Sequence, residues 1–203
     1  MRSPPLAALI ALAATPALAA CPTSADLADG VYVDFSDGTY VRYQTIQEDV
    51  VGEATITPGG EEDFFSGRYR GVFLMIDAGL KDNRPDRESL ISFQPAKGEP
   101  DWPIVSPTMN WSGTVITQNA EGGFINRFEM SAAVTGQDRV SISGCDYDVD
   151  IVKIEEVYEN GDGASELHYI REIGIGYVAA AGPVGAPYEF FYVPRYIGLK
   201  PPR

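Results

Sequence analysis

The sequence predicts an all-β domain: a mostly antiparallel meander of about nine or ten strands, closed as a barrel or coiled into a clamp-like sheet. A two-sheet sandwich is the alternative. Three observations carry this expectation. Apolar and polar residues alternate with period two over most of the chain. Asp-Gly, Gly-Gly and Asn-Gly pairs punctuate the alternation. No amphipathic helical pattern reaches ten residues.

Residues 1–20 read as a secretory signal peptide, which leaves 21–203 as a single all-β domain. Arg2 supplies a positive start, residues 6–14 are a short apolar run, and Ala17-Leu18-Ala19 fits a small-residue cleavage site before Ala20. The four residues Leu18-Ala19-Ala20-Cys21 also resemble the lipobox of bacterial lipoproteins, in which the cysteine is acylated. The chain has two cysteines, Cys21 and Cys145. A disulfide between them leaves no odd thiol in an oxidising compartment, whereas acylation of Cys21 strands Cys145. The disulfide is the expected state, and the protein is then periplasmic or secreted. The alternative is an outer-membrane lipoprotein anchored at Cys21.

After the cysteine, Thr23-Ser24-Ala25-Asp26 reads as a capped helical turn that Gly30 ends. Asp37-Gly38 then separates two alternating runs and marks a hairpin. "SGRYRGVFLM" (66–75) puts Arg68 and Arg70 on one face and Gly67, Tyr69 and Gly71 on the other; it is read as one long strand. A charged loop is expected over 77–89. The stretch 94–107 carries Pro95, Pro100, Pro103 and Pro107, so it is an edge or covering loop, because proline cannot donate to a ladder. Glu121-Gly122-Gly123, Gly136-Gln137-Asp138 and Asn160-Gly161-Asp162-Gly163 are further turn signals. Phe124, Phe128, Met130, Ala132 and Val134 share one strand face, and Leu167, Tyr169, Ile173, Ile175 and Tyr177 share another. "PYEFFYVPRY" (187–196) is apolar on both faces and reads as a core strand.

Chemistry is sparse. His168 is the single histidine, placed by alternation on a polar face beside Glu166 and read as an exposed strand residue. No G-x-S-x-G nucleophile elbow accompanies it. One histidine and two paired cysteines do not make a zinc site. "GIGYVA" (174–179) matches a loose dinucleotide fingerprint, but it lies inside strand alternation rather than at a turn into a helix, so it implies a bend or bulge and no cofactor. Asp146, Asp148 and Asp150 lack the glycine and terminal glutamate of a calcium loop; they read as a charged solvent face and no metal site. No catalytic residue is assigned.

Charge narrows the partners. The chain carries 15 basic and 29 acidic residues, a net charge of −14. That field repels nucleic acid and anionic headgroups, so membrane contact is expected only if Cys21 is acylated. The leading expectation is an exported, acidic, β-rich envelope protein without catalytic activity that binds a partner or supports assembly. Trp102, Tyr69, Tyr188 and Tyr192 form its candidate binding surface. One alternative is a carrier of a small apolar molecule in a barrel or clamp interior; the other is a carboxylate-based hydrolase.

Overall fold

The computed structural model describes residues 21–57, 62–82 and 84–201. The expected signal peptide lies outside the described residues. Fourteen strands follow a short 3₁₀ turn, Ser24–Ala28. They are β1 (Val31–Phe35), β2 (Tyr40–Gln47), β3 (Val50–Ile56), β4 (Glu62–Tyr69), β5 (Phe73–Lys81), β6 (Arg84–Pro85), β7 (Ile91–Pro95), β8 (Asn110–Asn119), β9 (Phe124–Ile142), β10 (Cys145–Tyr158), β11 (Gly161–Ile170), β12 (Ile175–Gly182), β13 (Phe190–Phe191) and β14 (Pro194–Gly198). All of them pair antiparallel in one sheet of order 13-12-11-10-9-8-7-5-4-3-2-1-14, with β6 paired only to β5. The antiparallel meander is as the alternation implies; of the expected forms, the sheet takes the coiled, unclosed one and not the closed barrel. The strand count exceeds the sequence expectation partly because β6 and β13 are two residues each.

Local chemistry explains the joints. Thr23 Oγ1 and Thr23 N–H both donate to Asp26 Oδ2, at 2.9 and 2.8 Å, and so cap the first turn. Arg70 (φ 48°) and Gly71 (φ 70°) are the two central residues of the β4–β5 hairpin, whose Val72 N–H reaches Tyr69 O at 3.1 Å. Positive φ at both positions matches the twist of the flanking strands. The expected single strand through 66–75 is therefore a hairpin, and Arg-Gly was its unread turn signal. Ser143 (φ 55°) and Gly144 (φ 82°) make the same joint between β9 and β10. Gly136, by contrast, makes no turn: β9 runs unbroken for 19 residues. The register with β10 slips there, leaving Thr135 as an extra residue, and such a bulge bends a strand without ending it. The charged segment 77–89 is likewise strand as far as Lys81.

The sheet curls until its ends meet along the chain. β13 lies against β12 and β14 against β1, and only Tyr192 and Val193 separate β13 from β14. Tyr192 N–H donates to Ala179 O, and Ser36 N–H donates to Val193 O, each at 2.9 Å. A second tie crosses the interior, where Gly176 N–H donates to Gly71 O at 2.9 Å. A Cβ on Gly176 would sit 2.6 Å from that oxygen. The glycines of "GIGYVA" thus serve a close backbone approach.

Curling produces two apolar clusters. The first gathers Val31, Val33, Tyr43, Tyr147, Val149, Ile170, Ile173, Ile175 and Ile197, with Cys145 at its margin. The second gathers Phe73, Met109, Trp111, Phe128, Met130, Val152 and Ile154. The long strands β9 and β10 run through both, and the bulge at Thr135 lies between their contributions. "PYEFFYVPRY" is not core, contrary to expectation. Phe190, Phe191 and Val193 are exposed, because β13 is a two-residue edge strand at the seam.

Candidate functional site

Four strands place a polar row on the concave face. Tyr43 in β2 registers with Glu53 in β3, Glu53 with Ser66 in β4, and Ser66 with Asp77 in β5. Residues in direct register share a face, so curling buries Tyr43, Glu53 and Ser66 together and leaves Asp77 half-buried at the end of the row. Tyr43, Glu53 and Ser66 are all under a tenth exposed. Arg68, two residues beyond Ser66 on β4, points into the same space.

The hydrogen bonds of this row are incomplete. Arg68 Nε donates to Glu53 Oε2 at 2.9 Å, and its Nη1 donates to Val72 O at 3.1 Å. Ser66 Oγ donates to Asp77 Oδ1 at 3.1 Å. Glu53 Oε1 is buried without a hydrogen-bond partner. Burial pushes the Glu53 carboxyl above its usual range, only partly offset by Arg68. Burial does the same to Asp77, against the hydrogen bond from Ser66. Burial also raises the Tyr43 phenol, and Glu53 adds to that effect. Loss of hydration disfavours the Arg68 charge, but attraction to Glu53 and the hydrogen bond that Arg68 donates to it outweigh that loss, so the guanidinium is held above its ordinary value. Removing charges from water is costly unless every lone pair finds a donor. Here one lone-pair set does not.

Two chambers meet at Arg68. The outer one, about 430 Å³, has Phe35, Phe64, Tyr177 and Tyr192 among its walls, with Asp37 and Glu53. The inner one, about 220 Å³, is bounded by Phe93, Trp102, Phe128 and Met130, with Glu156 as its carboxylate. Arg68, Ser165, Leu167 and Val178 line both. Glu156 accepts from Tyr158 Oη at 3.0 Å, and burial raises its carboxyl despite that bond and the pull of Arg68.

The residues singled out from the sequence do not converge on one surface. Trp102 stacks on Phe73 at 5.1 Å and tilts against Trp111 at 5.0 Å, so the proline-rich loop is a cover sealed by an indole. Tyr69 packs at the edge of the second cluster under the Arg70 guanidinium, 5.5 Å from its ring centre. Tyr188 and Tyr192 line a separate groove beneath the C-terminal segment, and Tyr192 also walls the outer chamber. Cys21 and Cys145 form a disulfide that spans 124 residues of chain.

Two expectations about charged groups are overturned. His168 is not an exposed strand residue. Its Nε2 lies 3.2 Å from Glu166 Oε1 and its Nδ1 lies 3.2 Å from Tyr177 Oη, with the side chain 18% exposed. Both ring nitrogens are thereby engaged. Burial pushes the Tyr177 phenol up to about 12, with Asp138 adding to it, so it stays protonated. Asp150 is not on a solvent face. It is 1% exposed, accepts from Gln137 Nε2 at 2.8 Å, and faces Arg171 Nε at 3.4 Å. No group of three or more metal-ligating side chains occurs among the described residues.

Sequence reasoning missed Glu53, Arg68 and Asp77. A signal for Glu53 was present: it is the lone carboxylate inside Val50–Ile56, an otherwise apolar or small run. Arg68 was read only as sharing a face with Arg70 on one long strand, and the turn at Arg70-Gly71 ends that strand just beyond it. No family model matches the chain, and no curated protein matches it. Among solved structures, the chain is similar to the hypothetical lipoprotein YmcC from Escherichia coli, at 10% identity over 75% of this chain and 74% of that one, with a TM-score of 0.41.

Proposed function

We propose that this is an exported ligand-binding protein of the cell envelope, without catalytic activity, whose curled sheet holds a small amphiphile. One observation carries the reading: an outer chamber of about 430 Å³ with mainly apolar and aromatic walls converges on the under-satisfied Glu53–Arg68 pair. Concave, largely apolar space with a few convergent polar groups is what small-molecule sites require. Export is supported by the signal-like residues 1–20 and by the Cys21–Cys145 disulfide, a bond suited to oxidising compartments.

The test uses mature protein and an environment-sensitive apolar dye. Wild type is expected to bind the dye saturably. Val178→Trp is expected to abolish binding with an unchanged far-ultraviolet spectrum, since Val178 walls both chambers. Absence of saturable binding, or binding indifferent to Val178→Trp, would remove the proposal.

A second reading rests on a different observation. Phe190, Phe191, Tyr192 and Val193 are consecutive and exposed by 37 to 67% at the seam of the sheet. An exposed apolar edge of that kind suits docking of an envelope partner. Phe191→Ser would break capture of such a partner while leaving dye binding intact.

A further inference from the structure

We infer that the ligand of the two-chambered cleft carries a cationic ammonium head, lodged at the waist beside Glu53 and Arg68, with its apolar body in the outer chamber. The inference rests on the ligand-binding reading and specifies its chemistry. The first support is the unpartnered carboxylate. Glu53 lines the chamber, is 9% exposed, and its Oε1 makes no hydrogen bond, so the site is short of one donor. An N–H or a compact positive charge supplies what is missing.

The second support is the charge balance. Glu53 neutralises Arg68, and the net charge of the surrounding groups is then set by Asp77, which is in electrostatic reach of both, and by Glu156 in the inner chamber. Asp37 adds a carboxylate to the wall of the outer chamber. An anionic head would meet this excess uncompensated, whereas a cation relieves it. The third support is the wall itself. Phe35, Tyr43, Phe64, Tyr177 and Tyr192 all line the outer chamber, and aromatic faces attract a cation that has left water. The acidic chain as a whole favours the approach of a cation.

The experiment compares three probes with one tail: octylammonium, octanol and octanoate. Binding is read from the fluorescence of Trp102 and Trp111, the only tryptophans of the chain; Trp102 lines the inner chamber and Trp111 lies 5.0 Å from it. Octylammonium is expected to bind at least about tenfold tighter than octanoate, a difference of about 1.4 kcal/mol. Glu156→Gln, which leaves the Arg68–Glu53 pair intact, should shrink that preference. Glu53→Gln should abolish it, with folding checked by circular dichroism. Equal or tighter binding of octanoate would overturn the ammonium assignment and leave the ligand-binding reading standing. Binding of none of the three would count against the ligand-binding reading itself. A preference unchanged in both variants would remove the head from the waist.

Discussion

The two apolar clusters are built from different residues and fill space differently. The cluster near the disulfide is dominated by valine and isoleucine, and Val31, Val33, Val149, Ile170, Ile173 and Ile175 have no exposure. Branched side chains with few rotamers fill space between facing strands closely. The second cluster relies on Phe73, Trp111, Phe128, Met109 and Met130, and it leaves a chamber of about 220 Å³. Flat rings and flexible thioethers tile less completely, and methionine adapts to what it meets. The cleft lies where the two clusters join, with Phe35, Tyr43 and Tyr177 of the first and Leu167 of the second on the walls of the outer chamber. The covering loop packs Trp102 against the second cluster.

The disulfide gives the largest test of this contrast. Cys21→Ser with Cys145→Ser should lower stability in urea by about 3–5 kcal/mol, because the bond closes a loop of over a hundred residues in the unfolded chain. A loss below about 1 kcal/mol would mean that the first cluster holds the curl without it. Matched truncations come next. Ile175→Ala, in the close-packed cluster, should cost about 3–5 kcal/mol. Ile154→Ala, on the wall of the inner chamber, should cost nearer 2 kcal/mol, since fewer contacts surround it. Equal costs would erase the distinction between the two clusters.

Smaller effects sharpen the picture. Alternation alone implies that His168→Ala is worth under about 0.5 kcal/mol. The contacts to Glu166 and Tyr177 raise the expectation to about 1–2 kcal/mol, with Tyr177→Phe giving part of the same loss. The smallest effect is a pH dependence. Burial raises the Glu156 carboxyl in the folded state, so it holds its proton to higher pH there than in the unfolded chain. Its contribution to stability is fully present below the unfolded pKa and is lost as pH rises through the folded one. Wild type should therefore lose stability relative to Glu156→Gln as pH rises from below the ordinary carboxylate range toward neutrality. A gap that moves the other way would mean that the Arg68 attraction, not burial, governs this carboxylate.

Much of the fold was legible because its signals are local. The capped turn at Thr23, the hairpin at Asp37-Gly38 and the turn at Glu121-Gly122-Gly123 each depend on a few adjacent residues, and the structure has all three. Asn119 Oδ1 secures the last of these, accepting from Gly123 N–H at 2.7 Å. Cysteine parity pointed to the observed bond in the same direct way. The errors arose where phase or coverage decides. An extra residue at Ile125 shifts the pairing of β8 with β9, so Phe124 stands 64% exposed although it keeps step with Phe128 in the sequence.

The sequence by itself determined that the chain alternates, where most of its hairpins turn, and which residues can face one way together. Only the tertiary structure decided which of those faces is inside. Alternation separates two faces of a strand but does not say that a second layer of the same sheet will cover the polar one. That is why Asp150, solvent-facing by alternation, and the charged Arg68 are drawn into the molecule, Asp150 held by Gln137 with Arg171 and Arg68 by Glu53. The curl that covers them is set by contacts between residues far apart in the chain, such as Gly71 with Gly176 and Cys21 with Cys145. No window of neighbouring residues contains both partners of such a contact, so the cleft exists only once the sheet has curled over.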